Sequence, residues 1–376
     1  MKFSNKRFGR IIAFILCFTM MFGLSVTAFA ETTDNAETLK YDYVTELPDG
    51  GKIYTFVIDG IENNFPVPPE GFNPLTASDE TLETYGFPPR PVDKEELTEW
   101  KENMAAYKTT PIPEIEQTDR VHGANIPVPN MLTTFSSSDI RNSYSTNWSG
   151  YVAKGGANAF AQVQGDFVQP TIQSGCANNT YESTWVGLGG YNSGKLVQTG
   201  TAMNTSGGGR NYYAWYEYLS PSHPNPEIRF SKVTIRPGDR IHTYCSFQRA
   251  NNKFNAYVAN NTNGTSQSVI VNISASEFYD GTTADFINEA PSVGGNTASL
   301  TKYGTTNWTN CQVFRTTSTW ANLGSLTTES IIMKSKDGNR TLATPSGLSG
   351  QTFKSTWNNS VSYTHLRAHE TLSDLV

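Results

Sequence analysis

The chain has 376 residues, 37% of them hydrophobic and 16% charged, with a formal net charge of −6. That length allows more than one folded part, and the acidic balance argues against a nucleic-acid partner. Four cysteines and five histidines, at spacings that fit neither a zinc site nor a redox motif, argue against metal or thiol chemistry, so no metal and no cofactor are expected.

Residues 1–30 read as a secretory signal peptide. Lys2, Lys6, Arg7 and Arg10 precede an apolar run that begins at Ile11, and Ala28-Phe29-Ala30 closes it with a small-residue cleavage pattern. An uncleaved membrane anchor is the alternative, although no later stretch is apolar enough to span a bilayer. The mature protein is therefore expected to be secreted, monomeric and free of the membrane. Cys17 leaves with the signal, so Cys176, Cys245 and Cys311 allow at most one disulfide.

Residues 31–140 form an acidic, proline-rich leader. Glu31 to Asn130 holds 20 acidic and 7 basic residues, against 14 and 17 from Met131 onward. "YDYVTELPDGGKIYTFVIDG" reads as strand, turn and strand. "TASDETLETYGFPPRP" reads as a helix capped by Ser78 or Asp79 and stopped by glycine and prolines. "VDKEELTEWKENMAAYK" is a second helix with Leu97, Trp100 and Met104 on one face, and "TTPIPEIEQTDRVHGANIPVPN" reads as extended linker. A pro-segment and a cell-surface spacer both fit this composition.

Residues 141–360 change to short runs separated by Gly, Asn, Ser and Thr, such as "NWSGYVA", "STWVGLGG", "NYYAWYEYL" and "SQSVIVNI". Their period-two alternation and frequent turns predict an all-β sandwich or barrel. Residues 361–376 break that texture: "VSYTHLRAHET" resembles the translation of a sequencing-library adapter and is excluded as non-native. With it go His365 and His369, leaving His122 in the linker, His223 in a loop and His242 in a strand. None accompanies a nucleophile elbow, so a serine or cysteine hydrolase is not expected.

Carboxylates remain. Asp285, Ile287 and Glu289 in "ADFINEAPS" share one face of an extended segment, where two acids can raise each other's pKa or form a solvated surface. Trp215 and Glu217 share a face in "NYYAWYEYL", which suits a polymer groove or an ordinary sandwich core. Gln198 in "LVQTG" cannot be acid or base, but its amide can hold an oxyanion.

"NWSGYV", "STWVGLGG" followed by "LVQTG", "YAWYEY" and "ADFINEAPS" stand in the order and rough spacing of the eqolisins, the glutamic endopeptidases, which this chain resembles from Asn147 to Gly295. "TASDETLETYGFPPRP" is similar to the segment preceding the catalytic domain in bacterial members. The resemblance implies a concanavalin-like sandwich of two antiparallel sheets, a peptide groove on one concave face, polypeptide substrates and a catalytic pair of Gln198 and Glu289. It also implies that Trp148, Trp185, Trp215, Glu217 and Asp285 line or support substrate binding. Glu289 would take a proton from the attacking water while Gln198 stabilises the oxyanion. Two departures stand out: Gly189 replaces an aspartate, and Phe286 and Asn288 differ within the last motif.

The acidic leader is expected to dock on the β domain by charge, block the groove and leave as its carboxylates protonate, with self-cleavage between about Thr109 and Asp139. A carbohydrate-binding module or a peptide-holding adhesion domain would use the same tryptophans without chemistry. A glycosidase would need flanking carboxylates that are hard to name beyond Asp285 and Glu289.

Overall fold

A computed structural model of the chain describes residues 36–122 and 141–358, apart from 192, 225, 278, 317 and 318. The expected signal peptide, the end of the linker and the expected foreign tail lie outside these residues. The leader begins with strands β1 (Glu37–Leu39), β2 (Tyr43–Glu46), β3 (Lys52–Ile58) and β4 (Ile61–Val67). Helices α1 (Asp79–Thr84) and α2 (Lys94–Ala105) follow, then β5 (Ile115–Gln117) and β6 (Arg120–Val121). Ser78 caps α1 by accepting from the Thr81 amide, and Asp93 caps α2 through the Glu95 and Glu96 amides.

The β domain runs through β7 (Arg141–Ser145), β8 (Trp148–Lys154), β9 (Phe160–Val168), β10 (Thr180–Gly189), β11 (Leu196–Asn204) and β12 (Asn211–Ser220). It continues with β13 (His223–Pro224), β14 (Ile228–Thr234), β15 (Arg240–Gln248), β16 (Lys253–Asn260), β17 (Thr265–Asn272) and β18 (Thr283–Glu289). Short strands β19 (Ser292–Val293), β20 (Asn296–Thr297) and β21 (Ser299–Leu300) lead to β22 (Thr305–Arg315), β23 (Thr319–Asn322), β24 (Thr328–Lys334), β25 (Thr341–Pro345) and β26 (Phe353–Trp357). Among the described residues from 141 onward there is no α-helix.

Two layers face each other. One has the order β14-β12-β11-β10-β18-β8-β24, the other β22-β9-β15-β16-β17, and β25 and β26 join them at one side. Alternation fills the space between them: Val186, Leu188, Val197, Tyr216 and Phe286 from the first layer pack with Phe167, Cys245, Phe254, Val269 and Trp308 from the second. This is the all-β sandwich of mostly antiparallel strands expected from the sequence. Cys176, Cys245 and Cys311 are all free thiols.

The leader belongs to the same compact unit as the β domain and touches it on several sides. β4 adds to the edge of the second layer through Asn63 and Asn64, opposite Val271 and Ile270. β5 adds to the first layer's edge, with Ile115 opposite Phe230 and Gln117 opposite Ile228. Trp100 and Met104 of α2, with Leu82, Tyr85 and Phe87, pack on Tyr244, Tyr257 and Ala259 on the outer face of the second layer. Leu97 is only half-buried there. Docking therefore rests on strand pairing and apolar burial, not mainly on the charge difference expected. Among the described residues, leader carboxylates pair with the β domain at Glu114 with Lys232 and Glu116 with Arg229. The segment read as linker is in fact partly sheet, because its Ile115 and Val121 have apolar faces to meet.

Candidate active site

The outward face of the first layer is built around β10. Gly187 pairs with Gln198 of β11 on one side and Asp285 of β18 on the other, while Ser183 pairs with Glu289. Gln198 in turn pairs with Glu217 of β12, and Trp148 of β8 with Glu289. These positions differ by even steps, so the pleat sends Gln198, Glu217, Asp285, Glu289, Trp148, Trp185 and Trp215 to one face. The seven residues named from the sequence thus share this face, and all are buried. Gly200 makes room for them: a Cβ at that position would lie 2.1 Å from the Thr184 carbonyl and 2.7 Å from Trp185 Cβ.

Glu289 accepts from Asn147 Nδ2 at Oε1, 3.2 Å, and from Trp185 Nε1 at Oε2, 2.8 Å. Gln198 Nε2 donates to Glu217 Oε2 at 2.6 Å and to the backbone carbonyl of His122 at 3.2 Å. His122 is the last leader residue before the undescribed stretch, and it is fully buried against these side chains. Its amide donates to Glu217 at 2.9 Å, its ring stacks on Trp215 at 3.9 Å between centroids, and its Nδ1 lies 3.5 Å from Glu289 Oε2.

Beside it, Glu227 is a hub for donors from the leader and the β domain. His122 Nε2 approaches Oε2 at 2.6 Å, while Oε1 receives Arg120 Nη1 at 2.9 Å, Tyr213 OH at 2.8 Å and Thr118 Oγ1 at 3.1 Å. Arg120 is itself buried, with its guanidinium carbon 5.1 Å from the Tyr181 ring centre and 5.4 Å from that of Tyr213. β6 carries Arg120 and Val121 antiparallel to β19, with Val121 opposite Ser292.

Burial opposes a charge on His122, but the hydrogen bond to Glu227, the nearby Glu289 carboxylate and the charges of Glu227 and Glu217 outweigh it, raising its pKa to about 10. Burial likewise works against ionising Glu227, yet His122 and Arg120 hold its carboxyl far below the usual range. Glu217 goes the other way. Burial pushes it well above the ordinary value, with Glu227 and Glu289 adding to the rise against the pull of His122.

Asp285 departs from expectation. It shares the face with Glu289, but burial alone pushes its carboxyl well up, and neither oxygen has a hydrogen-bond partner. The mutual influence expected of two acids on one strand face is not what acts on it, because four residues along a strand separate them. Gly189 has a local reason for its identity. Its φ of +98° and a Cβ position 2.1 Å from the Lys195 carbonyl leave no place for an aspartate side chain. Asn288 points to the interior, donating to Glu182, Thr184 and Thr306, and burial pushes Glu182 up to about 7.

Sequence reasoning missed Asn147, Arg120, His122 and Glu227. The only signal was a cationic "RVH" closing an acidic leader. His365 and His369 lie outside the described residues, among which no group of three His, Cys, Asp or Glu side chains is arranged to hold a metal.

A family model described as the Peptidase A4 family matches residues 146–357. No curated protein matches the chain. Among solved structures, scytalido-glutamic peptidase with a transition state analog inhibitor aligns at a TM-score of 0.49 and 22% identity, over 57% of this chain and 98% of that one. Aspergilloglutamic peptidase from Aspergillus niger aligns at 0.42 and 23%, over 48% and 99%. SCP-B, described as a member of the eqolisin family in a complex with the tripeptide Ala-Ile-His, aligns at 0.46 and 21%, over 57% and 98%.

Proposed function

The chain belongs to the Peptidase A4 family and is a glutamic-type peptidase; from that premise we propose that it is a secreted, acid-acting endopeptidase working through Glu289 and Gln198. One observation carries the assignment. Gln198 Nε2 reaches the carbonyl oxygen of an extended peptide segment at 3.2 Å, and Glu289 Oε2 lies 3.5 Å from the ring of the same residue. A carbonyl held by that amide is polarised toward attack. Water gives a proton to the Glu289 carboxylate as its oxygen adds to the carbonyl carbon. The negative oxygen that forms is held by the Gln198 amide, a contribution of about 3–4 kcal/mol for one such donor. Glu289 then returns the proton to the departing amine and the C–N bond breaks.

Glu217 supports this by accepting the other hydrogen bond of the Gln198 amide, which orients it, and by receiving a backbone amide of the bound segment. Trp185 and Asn147 fix the Glu289 carboxylate by the same logic. Residues 31–140 serve as a pro-segment in this reading, since the groove is filled while residues 120–122 occupy it. Secretion rests on the signal-like start; no helix among the described residues is long and apolar enough to cross a membrane.

The test is hydrolysis of denatured casein from about pH 2 to 7, with inhibitors of aspartic, serine and metallopeptidases present, comparing the chain with its Glu289→Gln variant. Acid-side hydrolysis that resists the inhibitors and disappears in the variant is expected. Full activity in Glu289→Gln would overturn the assignment.

A further inference from the structure

The leader segment in the groove is bound through its main chain in the way any peptide would be. Arg120 and Val121 form a strand on β19, the His122 amide donates to Glu217, and the His122 carbonyl accepts from Gln198. Its side chains carry the further information. The leader holds 20 acidic and 7 basic residues, yet what it sends into the groove is a guanidinium and an imidazole. Both meet the same carboxylate, Glu227, which Thr118 of the leader also contacts.

With the leader gone, Glu227 keeps the Tyr213 hydroxyl and the neighbouring Arg229, whose Nε is 3.9 Å away. It loses the two cations that lie on it. The places they leave are shaped for flat positive groups: the Arg120 site between the Tyr181 and Tyr213 rings, and the His122 site on the face of Trp215. A buried carboxylate aimed into an emptied site favours a substrate that restores the two lost cations and penalises one that leaves it with Tyr213 and Arg229 alone.

We propose that the groove selects a cationic side chain at the residue whose carbonyl faces Gln198 and at the residue two places before it, with Glu227 as the specificity-determining carboxylate. Arg120-Val121-His122 then lies there as the acyl half of a self-substrate, and the leader is cut on the C-terminal side of His122. In that step water supplies a hydroxyl to the His122 carbonyl carbon, the bond to the next nitrogen breaks, and the second proton goes to the new amine. This inference rests on the peptidase reading above and adds its substrate class and its own processing site.

The full chain is taken to acid until its leader separates, and the fragments are weighed by mass spectrometry. Quenched-fluorescent peptides containing Arg-Val-His, Ala-Val-Ala or Glu-Val-Glu in one common frame are then offered, with casein as a general substrate. We expect fragments ending at His122 and a kcat/KM for Arg-Val-His about 100-fold above Ala-Val-Ala, as sites with unpaired buried polar groups discriminate at least this well. In Glu227→Gln that ratio should fall below about tenfold.

A leader-side variant covers the case in which Glu227→Gln does not fold. Arg120→Glu should slow the cut after His122 at least tenfold, and Arg120→Lys should restore most of the rate. Equal rates on the three peptides while casein is cut would overturn the proposal, as would a leader cut elsewhere with residues 120–122 retained. Casein left intact by a folded, leader-free enzyme would instead overturn the peptidase reading beneath it.

Discussion

Replacing His122 with alanine should change how the stability of the whole chain depends on pH. The imidazole ordinarily titrates near 6.5 and is raised to about 10 in the groove. A tenfold change in proton affinity corresponds to about 1.4 kcal/mol, so the full difference amounts to roughly 5 kcal/mol. Three carboxylates share that attraction, and breaking one buried pair more commonly costs about 3–5 kcal/mol. The sign follows from the direction of the change. A histidine with a raised pKa contributes its full stabilisation below pH 6.5 and loses it as pH rises toward 10. The advantage of wild type over His122→Ala should therefore shrink by about 3 kcal/mol between pH 6 and about pH 10.5. Denaturant unfolding followed by tryptophan fluorescence at pH 6, 8 and 10.5 measures this directly. Two curves that stay parallel across the range would show that the imidazole is not held as an ion, and the reasoning on the groove would fail.

Gln198→Ala should lower kcat on a peptide about a hundred- to thousand-fold while the chain still folds, and near-normal turnover would remove it from the mechanism. Asp285→Asn should gain stability relative to wild type as pH rises from 3 to 7, because a carboxyl whose pKa is raised by burial costs folding energy once the unfolded state ionises. A wild type that gains on the variant over that range would refute this. Gly189→Asp should cost about 2 kcal/mol or more, since it combines φ +98° with a collision at the Lys195 carbonyl. An unchanged melting temperature would show that the turn readily adopts another shape.

The fold was legible where local signals and burial agree. Period-two alternation in runs such as "STWVGLGG" predicted strands, and Ser78, one of the two cap candidates, caps α1, because each depends on neighbours close in sequence. The shared face of Trp215, Glu217, Gln198 and Glu289 was legible in part through period two, but placing Gln198 and Glu289 together needed the motif order. What the sequence hid is long-range. Nothing local tells that Ile115 continues a sheet whose next strand lies more than a hundred residues away, or that His122 stacks on Trp215. Glu227 was silent for the same reason: a single glutamate after two prolines gains its meaning only from Arg120, His122 and Tyr213. Composition was misleading for the leader's docking, because net charge says nothing of the apolar faces of Trp100 and Ile115 that make the contact.

β4 and β5 of the leader each cover a sheet margin, on β17 and β14. Exposed margins with free N–H and C=O groups invite pairing with other chains. If the leader departs, the margins of β17 and β14 are laid open, and the separated β domain should be the more self-associating form. The cost would grow with concentration, so an enzyme released in dilute surroundings is spared the aggregation that the same domain would meet if it shed its leader inside a crowded cell.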